Sequence, residues 1–380
     1  MNNEMLLMIP GPTNLPEPVR QALAQPAIYH RGEQFAQLLE ICTEGLKPVF
    51  GTESDVLILT CSSTGAMEAG VVNFLSPGDR VIAIDTGKFG QRLGTIAEAF
   101  GAEVTWLKVE PGRAASADVL DVLCAQVEPK AVLFVQNETS TGVCQNVAAL
   151  SEVANSQGAL VIVDAISSLG GIPFQMDEWS VDVVLAGSQK ALMLPPGLAF
   201  VAVSERAWRA AEAARMPCYY FDLQAARRSA AKGQTPYTPN VSMIVALAEA
   251  ISLLQAEGLP AVYRRHQQMG QATRAAVQAL GLALFADPEF ASDVVTAVQS
   301  PEGLDSTELV KRVRDDHNIL ISGGQGELKG RIFRIGHLGC AGIEQVRRTI
   351  GAVAASLVEM GYDCAAQAAA EAIDEVVANF

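Results

Sequence analysis

The chain has 380 residues, 49% of them apolar and 18% charged, with a formal net charge of −15. That length allows two domains and a large core, and so acidic a chain excludes nucleic acid and anionic membranes as partners, since both need a basic face. No run of about 18 uncharged apolar residues is present, the start MNNEMLLMIPGPTN has no basic stretch or small-residue cleavage site, and the seven dispersed cysteines show no metal-ligand or CxxC spacing; the expectation is a cytoplasmic protein with free thiols and no metal centre.

Residues 1–15 contain prolines and look extended, as an N-terminal arm or interdomain crossing does. From there to residue 250, short apolar runs alternate with helical patterns. DVLILT (55–60), RVIAID (80–85), EVTWLKV (103–109), AVLFVQN (131–137), ALVIVD (159–164), VDVVLA (181–186) and LAFVAVS (198–204) are predicted strands. Most are apolar without alternation, as strands covered on both faces are. Helical periodicity fills the gaps at 89–101, 117–129 and 147–158. The alternation predicts an α/β domain with a mostly parallel, seven-stranded sheet and helices on both faces, whose ligands sit outside the carboxyl ends of the strands. Residues 251–380 mix helical segments with the strand-like VVTAVQS (294–300) and RIFRIG (331–336), which predicts a smaller α+β domain. The tail 365–380 is an alanine-rich helix.

Four features fall just after predicted strands. CSSTGAMEAG (61–70) offers hydroxyls and the backbone N–H groups of a helix start, which suit phosphate as well as they suit an ordinary N-cap. Asp164 closes a buried strand, either as a helix cap or as a charge awaiting a cation. NETSTG (137–142) is a polar turn whose hydroxyls could meet a ring oxygen. Lys190, in GSQKALMLPPG (187–197), is a lone amine among small and apolar residues; it either reaches solvent at the sheet edge or, drawn from water, becomes a nucleophile toward carbonyls. A phosphate cradle, an aspartate and a lysine 26 residues later are the parts that pyridoxal 5'-phosphate (PLP) needs.

The motifs MIPGPTNLP, TGAMEAG, KFGQR, ETSTGV, VDAISSLGG, DVVLAGSQKAL with PPG, and FRIGHLG stand in one order from residue 8 to 339. In them the chain resembles the class V aminotransferases of PLP fold type I (aspartate aminotransferase-like), within the alanine–glyoxylate and serine–pyruvate branch. It is similar there to cyanobacterial proteins labelled as a soluble hydrogenase subunit. The resemblance implies that Lys190 forms the Schiff base and shuttles the proton, and that Asp164 pairs with the pyridinium. It places Phe89 on the ring, Thr139 at the ring oxygen, and Ser62, Ser63, Thr64 and Gln189 at the phosphate or ring. Tyr237 and Asn240 would reach the phosphate of a neighbouring subunit's cofactor, which implies a homodimer with shared sites. Arg334 would grip the substrate α-carboxylate, a bidentate task suited to guanidinium, with Gly11 and Asn14 bordering the substrate. Two positions depart from the pattern: Ser63 stands where the family often has glycine, and Asn240 where relatives carry threonine or proline.

The expected activity is transfer of an amino group from a small amino acid, alanine or serine, to a 2-oxo acid, glyoxylate or pyruvate, by a ping-pong scheme. A PLP-dependent cysteine desulfurase or lyase would place histidine over the ring and a reactive cysteine on a mobile loop; here the positions are Phe89 and Cys340. A non-catalytic subunit of a redox complex would have lost the PLP set, yet Lys190, Asp164 and Arg334 are all present. Arg31 is the one nearby cation for a second carboxylate of a dicarboxylic substrate.

Overall fold

The computed structural model describes residues 4–380. Seven strands form the main sheet: β1 Asp55–Leu59, β2 Arg80–Asp85, β3 Glu103–Lys108, β4 Ala131–Val135, β5 Leu160–Asp164, β6 Val183–Gly187 and β7 Ala199–Val203. Their order across the sheet is β1-β7-β6-β5-β4-β2-β3. All neighbours run parallel except β7, which is antiparallel to both β1 and β6. The seven predicted strands are all present, each within two residues of its expected ends.

The apolar runs do not alternate because both faces are covered. Side chains still point to opposite faces in turn, so Val132, Phe134, Val161 and Val163 enter one hydrophobic cluster while Ala131, Leu133, Leu160 and Ile162 enter the other. A third cluster serves the C-terminal region, where β8 Val295–Gln299, β9 Ser322–Gly323 and β10 Ile332–Gly336 form an antiparallel sheet in the order β8-β10-β9. The helix Val241–Glu257 runs through residue 250 and keeps Leu254 in the first cluster, as does Val262 beyond it. The tail is the helix Ala366–Ala378, with Ala369 and Ile373 buried in the third cluster.

The N-terminal segment crosses to that C-terminal region. Leu6–Leu7 pairs in parallel with Ile319–Leu320, Met8 is fully buried in the third cluster, and Gly336 N donates to Met8 O at 2.8 Å. From this anchor residues 9–14 pass over the carboxyl edge of the main sheet. Among the described residues no single helix is long and apolar enough to cross a membrane.

Candidate active site

Lys190 lies in the turn after β6, and the N-terminal segment closes over it. Its Nζ donates to Pro10 O at 2.5 Å, and its own carbonyl accepts from Thr13 Oγ1 at 3.1 Å and Met193 N at 3.0 Å. Gly11, at φ +123°, makes this approach possible: a Cβ there would lie 2.6 Å from Lys190 Cδ and Nζ. Burial lowers the Lys190 pKa to about 8, against the opposing pull of Asp164 and with help from the charges of Arg334 and Arg92. Asp164 ends β5 almost fully buried, and its carboxylate accepts one hydrogen bond among the described residues, from Ile166 N at 2.7 Å. Burial pushes its pKa up to about 7; the Ile166 N–H, Lys190 and Arg92 hold it down, while Glu138 raises it further. Amine and carboxylate are both driven toward neutrality by the same removal from water.

The helix α1, Ser63–Val72, starts directly after β1 with Ser62 as N-cap. Ser62 makes no side-chain cap bond; Gly65 N donates to Ser62 O at 2.8 Å, which leaves the N–H groups of Ser63 and Thr64 open to an anion. Thr64 is exposed, and its Oγ1 accepts from Arg92 Nη1 at 3.4 Å. Ser63 is buried and accepts from Gln189 Nε2 at 2.9 Å. Its extra bulk relative to glycine is accommodated by Gly187, where a Cβ would collide with the Ser63 hydroxyl. The departure at 63 is thus matched by a missing side chain 124 residues away.

The helix α2, Lys88–Ala99, carries Phe89 in its first turn. Phe89 is half-buried, and the Arg92 guanidinium sits 4.9 Å from its ring centroid, as neighbours at i and i+3 on a helix can. Thr139 is buried at the carboxyl end of the sheet, and its carbonyl accepts from Arg334 Nη1 at 2.9 Å. Arg334, on β10, is only 4% exposed; Nε and Nη2 both donate to Gly323 O, at 3.1 and 2.8 Å. Of its five N–H groups these bonds leave one on each terminal nitrogen, the number a carboxylate takes. Burial lowers the Arg334 pKa to about 10, and the Glu138 charge opposes that.

Not every expected residue joins this group. Asn14 spends its amide on the N-terminal segment, accepting from Leu7 N at 3.1 Å and donating to Leu7 O at 2.8 Å. Tyr237 stacks on Tyr220 and donates its hydroxyl to Tyr219 O; Asn240 caps the helix Val241–Glu257 and gives its N–H to Thr60 Oγ1. Within the chain neither bonds to Lys190, Asp164 or Arg334; Tyr237 lines a recess beside Thr60, Tyr220 and Pro236 instead. Arg31 Nη1 is committed to Gln234 Oε1 and Thr235 O, at 3.0 and 2.8 Å. The Cys340 thiol donates to Asn14 O at 3.2 Å. Two residues were missed from sequence. Both stand in motifs that carry the resemblance, Arg92 closing KFGQR at i+3 from Phe89 and Glu138 opening ETSTGV, but nothing local to either gave it a role.

These residues fit PLP. Open N–H groups at a helix start suit its phosphate, Asp164 is a buried carboxylate with one donor and acceptor capacity left for a cationic partner, and Lys190 is an amine of lowered basicity.

Comparison with known proteins agrees. The chain matches the family model "Aminotransferase class-V" over residues 7–329. It is 44% identical over 366 residues to the "Soluble hydrogenase, small subunit" of Synechococcus sp., covering 95% of each chain. It is 38% identical over 367 residues to the serine–glyoxylate aminotransferase of Methylorubrum extorquens, covering 93% of this chain and 91% of that one. The solved structure of a ureidoglycine–glyoxylate aminotransferase from Bacillus subtilis superposes with a TM-score of 0.95 at 30% identity, over 98% of both chains.

Proposed function

We propose that this chain, which belongs to the PLP-dependent class V aminotransferases, moves an amino group from alanine or serine to glyoxylate or pyruvate in two half-reactions. Glyoxylate is the acceptor named for two of the relatives above, and serine is the donor named for one. The observation that carries amino-group transfer between carboxylate substrates is Arg334: a buried guanidinium keeps one N–H on each terminal nitrogen for the α-carboxylate that donor and acceptor share. Arg31, the candidate for a second carboxylate, is anchored through Nη1 alone to Gln234 and Thr235, so the preference for small donors rests on the donor named for a relative and not on Arg31.

Bound PLP supplies an aldehyde that condenses with amines and a ring that accepts the electron pair released when a Cα–H bond breaks. In this reading Lys190 Nζ, with its pKa lowered to about 8, is substantially neutral near that pH and takes the proton from the donor Cα. Asp164 holds a proton on the pyridine nitrogen, because a buried carboxylate is stabilised by a cation at hydrogen-bond distance. Arg334 orients either substrate through the carboxylate both share. Residues 10–13 cover one side of the half-buried Lys190, through Pro10 O and Thr13 Oγ1.

The same proposal includes a homodimer in which Tyr237 and Asn240 complete the partner's phosphate site, and a cytoplasmic location. The decisive experiment is a matrix of alanine, serine and aspartate against glyoxylate, pyruvate and 2-oxoglutarate, with cofactor absorbance followed in each half-reaction. Alanine or serine with glyoxylate or pyruvate should give the highest kcat/KM; aspartate or 2-oxoglutarate in the lead would refute the substrate choice. For the dimer, light scattering should give twice the chain mass, and Tyr237→Ala should weaken PLP retention. A monomer, or full retention, would refute shared sites.

A further inference from the structure

We infer that Glu138 is a positioning residue for this site: one buried carboxylate joins the helix that carries Phe89 to the turn that carries Thr139, and through Thr139 to the Arg334 fork. The inference rests on the site assigned under Proposed function and adds a residue to it.

Glu138 is 0% exposed. Its Oε2 accepts from Phe89 N at 2.8 Å and Gly90 N at 3.1 Å, the first turn of α2. Its Oε1 accepts from Ser140 N at 3.0 Å and Ser140 Oγ at 2.6 Å. Ser140 Oγ in turn accepts from Lys88 N at 3.0 Å, so one acidic residue and its neighbour satisfy three successive N–H groups at the start of α2. The residue between them, Thr139, gives its carbonyl to Arg334. Gly87 is what lets the strands of this knot approach: at φ +151° it has no Cβ, and one placed there would lie 2.8 Å from Glu138 Cγ.

Every contact to the carboxylate is a donor, three backbone N–H groups and a hydroxyl, so the ionised form is the one its surroundings fit. Burial pushes its pKa up and these donors hold it down. The negative charge also lies within reach of both Asp164 and Arg334. An ordinary helix cap would satisfy the N–H groups alone; this one ties a ring-stacking residue, a hydroxyl and a carboxylate-binding cation to a common point.

The test compares Glu138→Gln and Glu138→Asp with wild type in three measurements: thermal unfolding, the PLP dissociation constant of the apoprotein by fluorescence quenching, and KM against kcat for donor and acceptor. Glutamine keeps the shape but turns an NH₂ toward backbone donors. PLP affinity should fall about tenfold and KM for both substrates should rise about tenfold, the usual penalty for an unmatched buried donor. Aspartate, which keeps the charge, should restore part of both. A Glu138→Gln protein that only melts earlier, with wild-type PLP affinity and KM, would overturn the inference. If that variant does not fold, Ser140→Ala removes one of the four bonds to the carboxylate and with it the acceptor of Lys88 N; a twofold or greater loss of PLP affinity supports the link, and wild-type affinity overturns it. Arg334→Ala is run alongside. Unchanged KM there sinks the underlying site assignment, whereas a raised KM there beside a wild-type-like Glu138→Gln sinks only the Glu138 link.

Discussion

Replacing Gly11 with alanine tests how tightly the N-terminal segment is set against the reacting amine. At φ +123° a non-glycine residue is strained by about 1–3 kcal/mol. The added Cβ would stand 2.6 Å from Lys190 Cδ and Nζ and 2.9 Å from Cε, roughly 1 Å inside the distance at which carbon atoms normally touch. Something must move, and the segment is held on both sides. Leu6–Leu7 is paired with Ile319–Leu320, Asn14 brackets Leu7, and a Cβ on Gly336 would already strike Ile9 and Pro10. The softer partner is the Lys190 side chain. A displacement of roughly 1 Å at a reacting group costs about 100-fold in rate. Gly11→Ala should therefore lower kcat by about two orders of magnitude while Arg334 keeps KM within a few-fold. Steady-state kinetics with serine or alanine and glyoxylate would measure both, and PLP uptake by the apoprotein would report on Lys190 directly. Wild-type kcat in Gly11→Ala would refute the claim that this segment positions the lysine.

Arg334→Ala should raise KM for donor and acceptor alike, by about 2–5 kcal/mol of binding if the pair is well desolvated, and Arg334→Lys should recover little because an ammonium lacks the planar fork; equal KM values in substrate titrations would contradict this. Gly187→Ala should weaken PLP binding by colliding with Ser63, and adding Ser63→Gly should restore most of it, a coupling of about 1–2 kcal/mol in a double-mutant cycle; additive effects would show that the two sites are independent. The pH dependence of PLP uptake follows from the lowered pKa of Lys190. The neutral, nucleophilic amine dominates above about pH 8, so the uptake rate should climb with pH and level off near that value. A rate still rising tenfold per pH unit beyond pH 9 would mean that the amine titrates as a free lysine.

The sheet was legible in the sequence because its strands are covered on both faces, and continuous apolar runs such as AVLFV and LVIVD have few other uses. The lysine and aspartate were legible for the complementary reason: a charge at the end of such a run is costly without a purpose, and both stand in specific motifs. Strand direction was not legible, since β7 has the same texture as its parallel neighbours yet runs against them. Nor was Leu6–Leu7, because two residues carry no period and their partners lie more than 300 residues away.

Sequence by itself determined which residues are apolar, which peptide stretches are helical or extended, and where the reactive groups stand along the chain, because those properties depend on neighbours a few positions apart. Only the tertiary structure decided that Gly187 makes room for Ser63, that Asn14 braces its own segment, and that Glu138 gathers Phe89, Thr139 and Arg334. Each of these is a contact between segments distant along the chain, and a pattern of local periodicity carries no information about which distant segment will arrive.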